Sequence, residues 1–280
     1  MSAMRVCPTT ILRVVPLVLV LAACSREAGP GSENGTSGTS TSDKTAPVMA
    51  APVVLQDVIE TTPSYIVGIS YPQVAAGYPP LARALHDFAE GARTRLMRAV
   101  DGLNGRKPDV PYDLSLSFSK VVETPRVVVV AAEGSSFTGG AHGAPLVERF
   151  IWLPQMQQML AAEQLIPDAG NWQPVAAHVR EQLMTALSQQ LDDDGEEADA
   201  RARLLKSGSK WIDAGTTPSP QHFARFEPVM NADGSIRALR FVFPPEQVGR
   251  YEDGTRTADV PASLLLPLVA PVYRPLFRAG

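Results

Sequence analysis

RVVVVAAEGSSFTGGAHGAPLVERFIWLP, residues 126–154, decides how this chain is read, because two β-rich apolar runs flank a segment holding one histidine among three glycines. The runs 126–137 and 146–154 carry Val, Ile, Phe and Trp, and the pattern predicts two strands joined by a glycine loop. Gly139, Gly140 and Gly143 allow the backbone to bend sharply. His142 is then expected to hydrogen-bond loop carbonyls and hold the bend, a place on a binding surface being the other reading.

Sharper chemistry does not fit the spacing. A phosphate-cradling loop ends at a helix N-terminus and carries Lys with Ser or Thr at fixed intervals, whereas this loop leads into a strand and no Lys follows. No G-x-S-x-G elbow is present, and Ser135, Ser136 and Thr138 are only sequence neighbours of His142. His86, His142, His178 and His222 stand apart without H-x-x-x-H or H-E-x-x-H spacing, so only convergence in space would make a metal site of them. Neither metal nor cofactor is expected.

Working outward, residues 53–61 and 64–74 alternate and are β-rich, with Thr62 and Pro63 as a turn between them. Residues 78–100 place Leu81, Leu85, Phe88, Ala92 and Leu96 on one stripe, an amphipathic helix with prolines just inside its start. In residues 112–124, Asp113, Ser115, Ser117 and Ser119 alternate with Leu114, Leu116 and Phe118, a strand with one wet face. Towards the C-terminus, Val175, Val179, Leu183, Leu187 and Leu191 recur at spacing four in a second helix, and the acidic stretch 192–205 caps it and restarts a shorter one. Residues 223–248 read as two strands joined at Asn231–Gly234, and 259–277 as a short helix or edge strand closing on the core. The expectation is an α+β protein: antiparallel sheets with helices packed on one face, in two similar-sized modules, 53–135 and 136–280.

The chain has 280 residues, 45% hydrophobic and 19% charged, with a formal net charge of −4, ordinary globular composition without the basic stripe that nucleic acid requires. Its N-terminus is more distinctive: Arg5 and Arg13 precede an apolar run from Val14 to Ala23, which is shorter than the roughly 20 residues needed to cross a bilayer. That run ends Leu21-Ala22-Ala23-Cys24, which resembles the lipobox of bacterial lipoproteins. The resemblance implies that residues 1–23 are a signal peptide and that Cys24 is lipidated, anchoring the protein to the membrane. Ser25 resembles the pattern that permits export to the outer membrane, the usual retention residue there being Asp, so the expected location is the bacterial cell envelope, lipid-anchored in the outer membrane and facing the periplasm. Residues 24–52, dense in Gly, Ser, Thr and Pro, are expected to form a flexible tether. Cys7 is the other cysteine, so no disulfide or thiolate site is expected in the mature domain. Removing Arg5 and Arg13 with the signal leaves 23 basic against 29 acidic residues, a net charge of −6.

Other features have bland readings beside sharp ones. Aligning Gly195 with the glycine of a calcium loop puts Gln190 at the first ligand position and Arg201 where a bidentate Glu belongs, so 190–201 reads as a helix junction. Trp152, Trp172 and Trp211 are each core anchors or sugar-stacking platforms. Arg250 and Tyr251, in a polar loop before Gly254, read as a recognition surface or a plain turn.

Two motifs, Gly139-Gly140-Ala141-His142 after a strand and Phe243-Pro244-Pro245 before the Gly254 turn, resemble the RsiV-type extracytoplasmic region across residues 53–277. That family includes lysozyme-sensing anti-sigma factors, accessory domains of peptidoglycan deacetylases and stand-alone lipoproteins. The resemblance implies a partner, a lysozyme-like muramidase or peptidoglycan. It does not carry over sigma-factor signalling, for which a cytoplasmic segment and membrane span are needed, or deacetylation, for which a catalytic domain is needed. A non-catalytic envelope binding protein is thus expected. Its alternatives are an envelope scaffold, or a hydrolase pairing His142 with Glu133 or Glu148.

Because lipidation requires the thiol, Cys24→Ser is expected to leave an unprocessed precursor without incorporated palmitate; equal metabolic labelling of wild type and variant would refute the lipobox reading.

Overall fold

The computed structural model describes residues 53–279, so the signal segment 1–23, Cys24 and the tether 24–52 lie outside the described residues. The expected first hairpin forms: β1 (Val58–Thr61) pairs antiparallel with β2 (Tyr65–Ser70). Its turn is held by Thr62, whose Oγ1 accepts from the backbone N–H of Tyr65 at 2.9 Å. Helix α1 (Pro79–Asp101) then crosses over to β3 (Tyr112–Glu123), which lies parallel to β2. This is a departure from an all-antiparallel expectation, and the cause is the helix, since a crossover of this length returns the chain in the direction it left. Strands β4 (Val128–Phe137), β5 (Ala144–Leu153) and β6 (Gln158–Met159) extend the sheet antiparallel, in spatial order β1-β2-β3-β4-β5-β6.

The second part contains a short helix α2 (Ala162–Leu165), then α3 (Trp172–Asp193) and α4 (Ala198–Gly215), and a three-stranded antiparallel sheet. That sheet is built from β7 (Phe226–Met230), β8 (Ile236–Phe243) and β9 (Arg256–Pro261), and α5 (Ala262–Leu265) follows it. The segment read as helix or edge strand is both in turn, β9 along the sheet edge and then α5. Gln182 of α3 explains why the edge is tolerated: its side-chain amide accepts from the Asp259 N–H at 3.1 Å and donates to the Asp259 carbonyl at 2.6 Å, satisfying groups no further strand pairs with.

The α+β architecture has two apolar cores. Val67, Leu114, Leu116, Val128, Val130 and Ala132 pack under the Leu81, Leu85 and Leu96 stripe of α1. Val127, Val129, Ile151 and Leu153 pack the other way, with Trp172, Phe223, Phe226 and Phe241. The β4–β5 hairpin therefore belongs to both cores, and the expected boundary between residues 135 and 136 falls inside β4. The described residues, 53–279, make one compact unit.

A charge network crosses from one sheet to the other. Arg149 of β5, 6% exposed, reaches Glu227 of β7 at 2.7 Å through Nε and Glu133 of β4 at 2.8 Å through Nη2. Removing one member of a buried pair leaves the other uncompensated, so Arg149→Met is expected to cost about 3–5 kcal/mol by chemical denaturation, with part restored in Arg149→Met/Glu227→Gln. A loss below about 1 kcal/mol would show that water already screens the pair.

Candidate functional site

The connection between β4 and β5 runs through Gly139 and Gly140 at φ 100° and 101°, a region that side-chain-bearing residues rarely adopt. His142 sits at its exposed tip, and its Nδ1 is 3.4 Å from the Gly143 carbonyl, at the weak limit of a hydrogen bond. Its principal neighbour is Tyr251, on which the imidazole stacks at 3.8 Å between ring centres and 14° between planes. Nε2 lies 3.8 Å from a carboxylate oxygen of Glu246. The expected contact with a loop carbonyl is present at this weak limit, and the imidazole has a stacking partner besides, since two ring faces gain by meeting.

Tyr251 belongs to a turn of unusual backbone. Glu246 and Gly254 both have φ 70°, and Asp253 folds back so that its Oδ2 accepts from the Arg250 N–H at 2.7 Å. The turn is seated on the end of α4, where a Cβ at Gly215 would lie 2.0 Å from the Gln247 carbonyl oxygen, so only glycine permits this approach. Gln247 completes the seat by donating to the carbonyls of Gly215 at 3.2 Å and His222 at 2.9 Å.

Between α3, α4 and this turn lies a cleft of ≈ 430 Å³, within the range of small-molecule sites. Its floor is apolar, formed by Leu183, Leu187, Leu191, Ile212 and Val248. Gly208 lets α4 approach, since a Cβ there would come within 2.4 Å of Leu187 Cδ2. Trp211 stands at the mouth, 38% exposed. The facing wall is polar and its guanidiniums are engaged: Arg256 donates across the cleft to Oε1 of Gln190 on α3 at 2.8 Å, and Arg250 meets Glu252 at 3.0 Å and Asp253 at 3.6 Å. Asp194 and Glu196 add carboxylates along the rim.

The structure brings His142 to Tyr251 and places Arg250 in the cleft wall, so the glycine loop and the polar turn form one surface. It separates the three tryptophans. Trp152 and Trp172 are buried in the two cores, and only Trp211 offers a ring to solvent. The other histidines are occupied locally, His86 beside Asp87, His178 beside Gln182 and His222 beside Thr217. Among the described residues no group of three or more His, Cys, Asp or Glu is arranged to hold a metal ion. Glu133 and Glu148, the acids considered for His142, engage Arg149 and Arg225 instead, and the carboxylate nearest the imidazole is that of Glu246. Burial, with Glu90 and Asp57 nearby, pushes the Tyr71 hydroxyl up to about 12, and hydrogen bonds from Ser235 and Arg278 hold the Asp233 carboxyl well below the usual range. Neither residue lines the cleft.

Sequence alone gives Gln190 no binding role and does not single out Arg256 or the cleft itself. A signal was available in Gly208 and Gly215, glycines inside an otherwise helical run, which mark close packing when they persist in a helix.

No family model matches the chain, and no curated protein matches it. The fold is similar to the crystal structure of a DUF3298 family protein from Pseudomonas aeruginosa PAO1, at TM-score 0.51 and 16% identity, over 80% of this chain and 94% of that one. A DUF3298 member from Bacteroides fragilis NCTC 9343 aligns over 78% of this chain and 93% of its own, at 15% identity and TM-score 0.41. The likeness to the Pseudomonas protein is one of fold.

A double-mutant cycle of His142→Ala and Tyr251→Ala, followed by chemical denaturation, is expected to give a coupling energy of about 0.5–1.5 kcal/mol. Zero coupling would mean that the two rings merely lie near one another.

Proposed function

We propose that this chain is a lipid-anchored, non-catalytic binding protein of the bacterial cell envelope, whose partner is peptidoglycan or a lysozyme-like muramidase that acts on it. The observation that carries the reading is the cleft between α3, α4 and the 246–257 turn: an apolar floor, one exposed indole and a wall whose charged groups are already paired with one another. Acid–base catalysis asks for a titratable pair converging on a reacting atom, whereas His142 and Glu246, 3.8 Å apart, are both exposed and outside the lining of the cleft, and the imidazole is stacked on Tyr251. The lipobox at Cys24 and the two motifs resembling RsiV-type ectodomains support an envelope location and an envelope partner.

Net charge favours the muramidase arm as far as encounter is concerned. Lysozyme-like enzymes are commonly basic, and a mature chain of net charge −6, with 23 basic against 29 acidic residues, would attract them over distances that salt controls.

The test is a pull-down with the full-length protein in a detergent that has no sugar headgroup, against purified sacculi and a panel of muramidases, beside an equally acidic unrelated protein. Retention above that control on either bait is expected. On the muramidases it should weaken as the Debye length shortens from about 30 Å at low salt to about 8 Å at physiological strength. Retention no better than the control on both baits would overturn the reading.

A further inference from the structure

The chemistry of the cleft can be taken further than its location, on the premise that it is the binding site described above. Its two sides are unlike. Leu183, Leu187 and Leu191 of α3 meet Ile212 of α4 across an apolar floor, and Trp211 extends that floor to the surface as a flat, half-exposed ring. The polar part of the lining is the Arg256 guanidinium of β9, which reaches the amide of Gln190 on α3 at 2.8 Å, with the hydroxyls of Ser207 on α4 and of Thr255 and Thr257 at the start of β9. Gln190 spends its oxygen on Arg256 and keeps its amide N–H groups for a ligand, while Asp253 accepts from the Arg250 backbone.

Charge narrows the choice of ligand. Arg250 is flanked by Glu252 and Asp253, Arg256 by Gln190 and, at 3.9 Å, Asp253, so neither guanidinium is unpaired in the site. The rim adds Asp194 and Glu196. An anion entering the cleft would meet the carboxylates of Asp194, Glu196 and Asp253 against two guanidiniums already engaged. An acyl chain would bury the polar wall without satisfying it, which is unfavourable for each group left unpaired. What fits both sides is a neutral ring with one C–H face and a rim of hydroxyls.

We propose that the cleft binds a neutral oligosaccharide of N-acetylhexosamine units, with a pyranose face stacked on Trp211, ring hydroxyls bonded by Gln190, Arg256 and the rim carboxylates, and the acetamido methyl directed at the leucine floor. The indole supplies the stacking plane, because an aromatic face gains most from the polarised C–H groups of a flat ring. Carboxylates and planar amides match the pairs of adjacent hydroxyls such a ring presents, each group accepting or donating in one plane. The paired arginines fit as well, since a wall held by its own hydrogen bonds is arranged before the sugar arrives and little side-chain order has to be created on binding.

The probe is tri-N-acetylchitotriose, titrated calorimetrically into the full-length protein in detergent without a sugar headgroup, with cellotriose as the analogue that lacks acetamido groups. Saturable binding is expected, at least about tenfold weaker in Trp211→Ala and in the cellotriose titration, a loss of the size one stacking or apolar contact supplies. Ser207→Trp, which puts bulk at the exposed mouth of the cleft, should abolish it. Trp211→Phe, keeping a smaller ring, should fall between wild type and Trp211→Ala, and it carries the test should the alanine variant fail to fold. No saturable signal, a signal indifferent to Trp211→Phe and Ser207→Trp, or equal binding of cellotriose would overturn the proposal. A protein held by muramidases yet silent towards the trisaccharide would sink this inference and leave the broader reading standing; silence towards sacculi, muramidases and sugar would remove both.

Discussion

Burial of the β4–β5 hairpin on both faces is the constraint from which the rest of the architecture follows, because a strand with two dry faces needs a separate layer on each side. Val128, Val130 and Ala132 turn towards α1, and Val127 and Val129 towards the aromatic cluster of Trp172, Phe223 and Phe241. Each buried valine contributes about 1.5–3 kcal/mol relative to exposure, and removing either layer would expose those that face it. From residue 133 onward β4 is no longer fully buried, and beyond Phe137 the hairpin passes into the glycine loop.

The two layers meet across charge as well as across apolar surface. Arg149 spans Glu133 and Glu227, and Arg225 donates to the Val147 carbonyl at 2.6 Å, so β5 is tied to the start of the second sheet by directional bonds. Such groups add little net stability compared with apolar side chains of the same shape, but they accept one geometry and penalise others. The orientation of the second sheet, and with it that of α3 and α4, is therefore specified by polar contacts as well as by packing.

The cleft depends on three glycines used in different ways. Gly208 brings α4 close to Leu187, Gly215 brings the backbone of Gln247 onto the helix end, and Gly254 turns the chain at φ 70° back into β9. The His142–Tyr251 stack holds the turn from outside, so the loop at the end of the β4–β5 hairpin braces the wall of a site to which its own histidine adds no lining atom. A cleft walled by helices and one braced turn is preformed, as small-ligand sites commonly are.

Much of the fold was legible in the chain because it rests on local rules. The Leu81–Leu96 stripe, the alternation of Ser and Leu in β3, and the Asp233-Gly234 turn each announce an element through the period or the backbone angle it needs. The α+β class and the glycine loop between two strands follow from those elements. Sequence could not reveal that one hairpin serves two cores, or that Tyr251 is the partner of His142, because which layers and rings meet is set by long-range packing that leaves no periodic trace. The same holds for the site. Three tryptophans are equivalent in the sequence, and only tertiary burial separates Trp152 and Trp172, whose rings the cores absorb, from Trp211, which two helices and a turn leave at the mouth of a cleft.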